Sequence, residues 1–215
     1  MPEKQKVQRK LSAILSADVK GYSVLLTEDE AHTIGTLKSH RQIFSSLISE
    51  HSGRVMDSPG DNILAEFRSV VDAVNCAAKI QKKLEQENSK FVEDKKVQFR
   101  IGVNIGDVVQ DGDRIYGNGV NVAARIEGLA ESGGICISRN AYSHVRDKLE
   151  LGYEYFGEHS VKNIKRPVRV YKVLMDPEDA GKLIGEKSKP STKKWVWPMA
   201  AAIVVLLGIV AWQVY

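Results

Sequence analysis

The chain has 215 residues, 43% of them hydrophobic, which suffices for one sizeable core and fits a globular domain. A formal net charge of +4 is modest and gives no argument for nucleic acid as a partner. Cys76 and Cys136 lie in apolar surroundings without CxxC or Cys/His spacing, so they read as buried free thiols in a reducing compartment.

Residues 1–10 are polar and basic and read as a lead-in. Residues 11–17 (LSAILSA) form an apolar run ending in Asp18-Val19-Lys20-Gly21-Tyr22-Ser23, the pattern of a buried strand followed by a turn. Over 27–51, Ala31, Ile34, Leu37, Phe44, Leu47 and Ile48 recur at helical spacing; Thr27 and Glu30 resemble a capping box, and Gly53 is a stop. Residues 54–67 predict two short strands around a turn at Ser58-Pro59-Gly60-Asp61, and 69–87 predict a second amphipathic helix.

Residues 97–105 and 108–109 alternate like strand, and a turn at 110–113 returns the chain to Ile115 and Tyr116 as a hairpin. A third helix is expected over 120–131, ended by Gly133-Gly134, then a strand at 135–138, a weaker helix at 141–149 and a closing strand at 168–174. Strands and helices alternate without an internal repeat, which argues an α/β (α+β) sandwich with helices packed on a mixed sheet.

Residues 176–194 read as a charged linker carrying Lys182, Lys187, Lys189, Lys193 and Lys194. From 195 to 215 there is no charged residue, and about 20 apolar residues suffice to cross a bilayer as a helix. Trp195, Trp197, Trp212 and Tyr215 mark its two ends, at headgroup level. A buried soluble helix is the alternative, disfavoured by the lack of a polar face. The lysines place residues 1–194 on the cytoplasmic side of the inner (plasma) membrane, with a single pass after them. No apolar signal core opens the chain, and the span reads either as a tail anchor or, the favoured reading, as a segment after which the protein continues beyond Tyr215. The expected organisation is thus a lead-in (1–10), one globular domain (11–175), a juxtamembrane linker (176–194) and a transmembrane helix (195–215).

Two acidic residues stand where packing does not call for them. Asp18 follows the first apolar strand, and Asp61 sits in the turn before Asn62-Ile63-Leu64-Ala65-Glu66-Phe67. Carboxylates at the tips of neighbouring strands make a site for hard divalent cations such as Mg²⁺ bridging phosphate oxygens. Taken singly, each reads more readily as a turn-former. Asn121 and Arg125 are four apart and share a helical face. An amide beside a guanidinium suits a ribose oxygen and a phosphate gaining negative charge, although such a pair alone is more often a solvated face.

Four motifs then occur in order: Asp18-Val19-Lys20-Gly21-Tyr22-Ser23, Gly60-Asp61 with its following strand, Arg100-Ile101-Gly102-Val103-Asn104-Ile105-Gly106, and Tyr116 through Arg125. Together they resemble the class III adenylate/guanylate cyclase catalytic domain, over residues 9–174. The segment before Asp61 is similar to a Val-Asp-Ser-Pro-Gly-Asp type found in bacterial cyclases, with Met56 in place of the valine.

The resemblance implies a ferredoxin-like core with a mainly antiparallel sheet, and a homodimer whose sites lie across the interface. It implies that Asp18 and Asp61, with the Val19 carbonyl, hold two divalent cations (Mg²⁺ or Mn²⁺), and that Lys20, Gly21, Tyr22 and Ser23 offer backbone N–H groups to the triphosphate. Asn121 would orient the ribose and Arg125 the charge at the α-phosphorus, both from the partner subunit. A late lysine on the triphosphate would be Lys165, with Lys162 as the alternative or a surface lysine as the plain reading. The reaction implied is ATP to 3′,5′-cyclic AMP and pyrophosphate.

The base-reading positions depart from the adenylate pattern. Adenylate enzymes of the family commonly carry lysine four residues before the second metal aspartate, where this chain has Asp57. Seven residues before the ribose asparagine they carry aspartate or threonine, where this chain has Arg114 with Asp113 beside it. An Asp57/Arg114 pair can serve adenine, guanine or uracil, or form a structural ion pair. Adenine is the expectation, with a guanylate or pyrimidine cyclase and an inactive nucleotide-binding domain as alternatives.

Overall fold

Strand β1 (Gln8–Val19) is the spine of the fold, and its alternation sorts the molecule into two faces. Ala13, Leu15, Ala17 and Val19 point into the larger core, while Ile14 packs on the other face. The structure is a computed structural model that describes residues 8–57, 59–112, 114–160, 164 and 166–185. Among these residues β1 pairs antiparallel with β3 (Ile63–Phe67) on one side and with β4 (Phe99–Asp111) on the other. The sheet runs β2 (Gly53–Asp57), β3, β1, β4, β6 (Ile135–Ser138), β8 (Val168–Leu174), β7 (Gly152–His159), β9 (Leu183–Ile184), and β5 (Arg114–Tyr116) pairs with β4. The β4–β6 and β7–β9 ladders are parallel and the rest antiparallel, as expected for a mixed, mainly antiparallel sheet.

Helices α2 (Glu30–Glu50), α3 (Val70–Asn88) and α5 (Arg139–Val145) contribute Leu37, Phe44, Ile48, Val74, Ile80, Leu84 and Tyr142 to the larger core. Phe44 and Phe99 meet at 4.8 Å between ring centroids and are both fully buried, each burial stabilising by about 1.5–3 kcal/mol. On the opposite face lies α4 (Asn118–Glu127), whose Ala123 packs with Ile14, Met56, Val108 and Ile115.

The motif over 100–106 takes its form from α4. Arg100, Gly102, Asn104 and Gly106 alternate with buried Ile101 and Val103, so they lie on the α4 face of β4. A Cβ at Gly102 would run into the Ala123 carbonyl and the Glu127 amide, and one at Gly106 would crowd Gly119. Asn104 Nδ2 donates to the Gly119 carbonyl at 3.0 Å. The glycines let the helix lie directly on the strand, and the asparagine fixes its N-terminal turn.

Several expectations change. The single helix over 27–51 is two, α1 (Tyr22–Glu28) and α2, because Asp29 is extended (φ −154°) and its carboxylate caps the His32 N–H at 3.1 Å. Thr27 turns back to the Ser23 carbonyl instead of opening a capping box. Helix α4 begins at Asn118 and ends at Glu127, four residues short of the expected stop at 131, as i→i+3 bonds tighten Leu129 and Ala130 into a turn. Strand β7 was not expected: a bulge between Tyr155 and Gly157, with Gly157 at φ +106°, breaks its alternation.

Beyond Leu174 the chain stays on the sheet. Residues Pro177–Asp179 form a 3₁₀ turn, the Lys182 carbonyl accepts from the Tyr153 N–H at 2.9 Å, and β9 pairs with β7, so the start of the expected linker is structured. Residues 186–194 and the apolar stretch 195–215 lie outside the described residues. No helix among the described residues is long and apolar enough to cross a membrane.

Candidate active site

Strand β1 ends at one end of the sheet, and the turn that carries Asp61 reaches it there, next to Asp18. The Asp61 Oδ2 accepts from the backbone N–H of Val19 at 3.2 Å, which places the 59–62 turn against the residue next to Asp18. That turn is closed by the Asn62 N–H on the Pro59 carbonyl at 3.1 Å, with Gly60 at φ +59°, a conformation glycine adopts without strain. Arg41 on α2 donates to the Gly60 carbonyl.

Asp18 lies opposite Arg100 in the β1–β4 register. The guanidinium takes both carboxylate oxygens, Nε on Oδ1 at 2.9 Å and Nη2 on Oδ2 at 2.5 Å, and Nη1 reaches the Gly128 carbonyl at 3.3 Å. With side chains 17% and 24% exposed, Arg100 and Asp18 form a partly buried, bidentate pair. The pairing, through its hydrogen bonds first and its charge second, raises the Arg100 pKa further.

Glu127, the last residue of α4, is buried beneath Asp18. Ser16 Oγ donates to its Oε2 at 2.6 Å, and burial, with the Asp18 charge beside it, raises its pKa well above the ordinary carboxyl range. A carboxyl kept protonated can lie against Asp18 without repulsion. Sequence reasoning missed Arg100, Glu127 and Arg41. Arg100 stood inside a quoted motif, but only the strand register shows that it faces Asp18.

The donor set fits a divalent cation in part. No group of three or more His, Cys, Asp or Glu side chains gathers among the described residues. Two carboxylates and a backbone carbonyl are an oxygen-only set, suited to Mg²⁺ or Mn²⁺ that takes its remaining ligands from water and phosphate. The Arg100 guanidinium supplies Asp18 with a counter-charge in the protein alone.

The turn at 20–23, expected to face the phosphates, is largely exposed. Lys20 anchors it through its N–H on the Gln98 carbonyl at 2.9 Å, and Gly21 at φ +71° precedes α1 with nothing within 4 Å of where a side chain would begin. Tyr22 is half-buried against the larger core and Ser23 is exposed.

Asn121 and Arg125 are both exposed on α4, and neither makes a side-chain hydrogen bond or ion pair among the described residues. The chain therefore brings the Asp61 turn to the end of β1 beside Asp18 and leaves the side chains of Asn121 and Arg125 exposed on α4. Ile164 and Arg166, which flank residue 165, line a cleft of about 580 Å³ with Asn118, Gly119 and Val122, so the late loop passes the start of α4. Lys162, Lys165 and Asp113 lie outside the described residues.

Asp57 and Arg114 are exposed neighbours. Met56 and Ile115, one residue along each strand, are buried in the same cluster, which sets β2 beside β5. The Arg114 pKa is raised by its hydrogen bond to Tyr116 and by the nearby charges of Tyr116 and Asp57. Cys76 and Cys136 are buried free thiols whose pKa burial pushes up to about 12, well away from reactivity.

A sheet of this order, with paired carboxylates at one end of its central strand, is the fold of class III cyclases. The adenylate/guanylate cyclase/hydrolase of Silicibacter pomeroyi is 35% identical, superposes with a TM-score of 0.75 and covers 80% of this chain and 100% of its own. The adenylyl cyclase CyaB of P. aeruginosa, 26% identical, gives 0.70 over 82% of this chain and 100% of its own. Residues 5–175 match the family described as the adenylate and guanylate cyclase catalytic domain, and the chain belongs to that family. In sequence it is 41% identical over 169 residues to a protein named "Putative adenylate cyclase 3" of Rhizobium meliloti (strain 1021), covering 78% of this chain and 29% of that protein. The chain thus spans under a third of that relative's length.

Proposed function

We propose that the chain is an adenylate cyclase that converts ATP to 3′,5′-cyclic AMP and pyrophosphate at sites shared between two copies. The observation that carries this reading is the convergence of Asp18 and Asp61 on Val19, while Asn121 and Arg125 face outward on another element. A monomer so built holds two half-sites, and a head-to-tail pair completes both.

Asp18, Asp61 and the Val19 carbonyl would hold two divalent cations, Mg²⁺ or Mn²⁺, which when bound would lower the pKa of the 3′-hydroxyl and neutralise the phosphates. Backbone N–H groups of Gly21, Tyr22 and Ser23 receive phosphate oxygens, the Lys20 N–H being held by the Gln98 carbonyl. The partner's Asn121 orients the ribose. The partner's Arg125 stabilises the charge that develops on the α-phosphoryl group as the 3′-oxygen attacks, and Lys165 binds the departing pyrophosphate.

Adenine is favoured by the names of the Rhizobium meliloti and P. aeruginosa relatives. The adjacency of Asp57 and Arg114 supports a second reading, since a carboxylate can accept from guanine N1–H and N2–H while the guanidinium donates to O6. Residues 195–215 tether the domain to the inner membrane, with the catalytic part cytoplasmic, and a chain ending near residue 194 then leaves the membrane fraction.

The test of the site is substitution. Asp18→Ala and Asp61→Ala abolish cyclic nucleotide formation while far-ultraviolet circular dichroism stays that of the wild type. Wild-type rates in either variant remove the cation assignment.

A further inference from the structure

The turn that carries Asp61 is held from two sides. Its carboxylate rests on the Val19 N–H of β1, and the carbonyl of the preceding residue, Gly60, accepts from the Arg41 Nη2 of α2. The Gly60 carbonyl and the Asp61 N–H belong to one rigid peptide plane, so a donor on that carbonyl fixes the plane from which the Asp61 side chain departs. Gly60 supplies no restraint of its own: it sits at φ +59° and has nothing within 4 Å of where a side chain would begin. Arg41 is half-buried on a long helix anchored by its neighbours His40 and Phe44, both about 1% exposed, so it makes a firm post.

Charge argues against a purely electrostatic purpose. A guanidinium next to a carboxylate that must bind a cation competes with that cation, and its removal alone would tighten binding. We propose that Arg41 is a positioning residue for the Asp61 carboxylate, acting through the Gly60 carbonyl to set how tightly the site binds a divalent cation. The inference rests on the reading of Asp61 as a cation ligand.

The test is Mn²⁺ binding to the whole chain without nucleotide, followed by the electron paramagnetic resonance of free Mn²⁺, beside metal-free thermal melting. Arg41→Met removes the donor and weakens Mn²⁺ binding about five- to tenfold, the worth of one ordinary net hydrogen bond. Arg41→Lys keeps a donor within reach and restores most of the affinity. Arg41→Gln, polar but too short, behaves like the methionine variant and replaces it should that chain not fold. Binding by the methionine or glutamine variant as tight as wild type, or tighter, overturns the proposal. Asp61→Asn separates the two claims: undiminished Mn²⁺ binding in that variant removes the cation reading itself, whereas loss there with no loss at residue 41 removes only the role of Arg41.

Discussion

Asp18 on β1 and Arg100 on β4 face each other as a cross-strand pair, and the guanidinium holds both oxygens of the carboxylate. This is how the protein keeps an acidic side chain at the end of a buried strand beside a second carboxyl, Glu127. Because the pair is partly buried, removing one partner exposes the other to an uncompensated environment.

Arg100→Met therefore lowers stability by about 1–3 kcal/mol in metal-free buffer. Mn²⁺ recovers part of the loss, since a bound cation replaces the missing counter-charge and favours the folded state. Thermal melting with and without Mn²⁺ checks both statements, and an unchanged melting temperature would contradict the first.

Gly102→Ala strikes the contact between β4 and α4, where the new methyl meets helix backbone rather than a movable side chain. Overpacking of this kind costs about 1–3 kcal/mol, and the helix that shifts carries Asn121 and Arg125. Urea denaturation gives the stability loss, and turnover falls further than the fraction unfolded accounts for.

His40 sets an acid limit on stability. It is 1% exposed between α2 and β4, close to Phe99, and its Nδ1 finds no hydrogen-bond partner among the described residues. Burial lowers its pKa from 6.5 to about 4, against a small opposing pull from the Glu87 charge. Between those values the unfolded chain takes a proton that the folded chain refuses. The stability present above pH 6.5 therefore declines as pH falls toward 4, by at most about 3 kcal/mol. His40→Leu removes this slope; urea midpoints at pH 7 and pH 4.5 that diverge equally for wild type and variant would contradict it.

Sharing of sites between subunits is tested by mixing. Asp61→Ala and Arg125→Ala chains are each inactive alone, and a heterodimer of the two holds one intact site. An equal mixture regains roughly a quarter of the wild-type rate if the chains pair at random. Failure to recover activity, with heterodimers present by cross-linking, argues for a site built within one chain.

The sheet and its motifs were legible because their signals are local. The run before Asp18, the turn before Asp61 and the apolar spacing of α3 each lie within a few residues, and α3 runs within one residue of the expected bounds, with Ser69 as its N-cap. Strand β7 was hidden by its bulge at Gly157, and β9 is only two exposed residues, Leu183 and Ile184, held by β7. The supporting residues of the site were hidden for another reason. Arg100 reaches Asp18 across 82 residues of sequence and Glu127 reaches Ser16 across 111, and no local pattern sets such pairings. Arg41, by contrast, lay in the middle of a helix whose apolar spacing drew attention to its buried side.

The most direct measurement is product formation by the purified chain with Mn²⁺ or Mg²⁺, offered ATP, GTP, UTP and CTP separately. The account predicts cyclic AMP from ATP with an equal amount of pyrophosphate, and little from the other three. A folded, dimeric, cation-binding chain that forms no cyclic nucleotide from any of the four would contradict it.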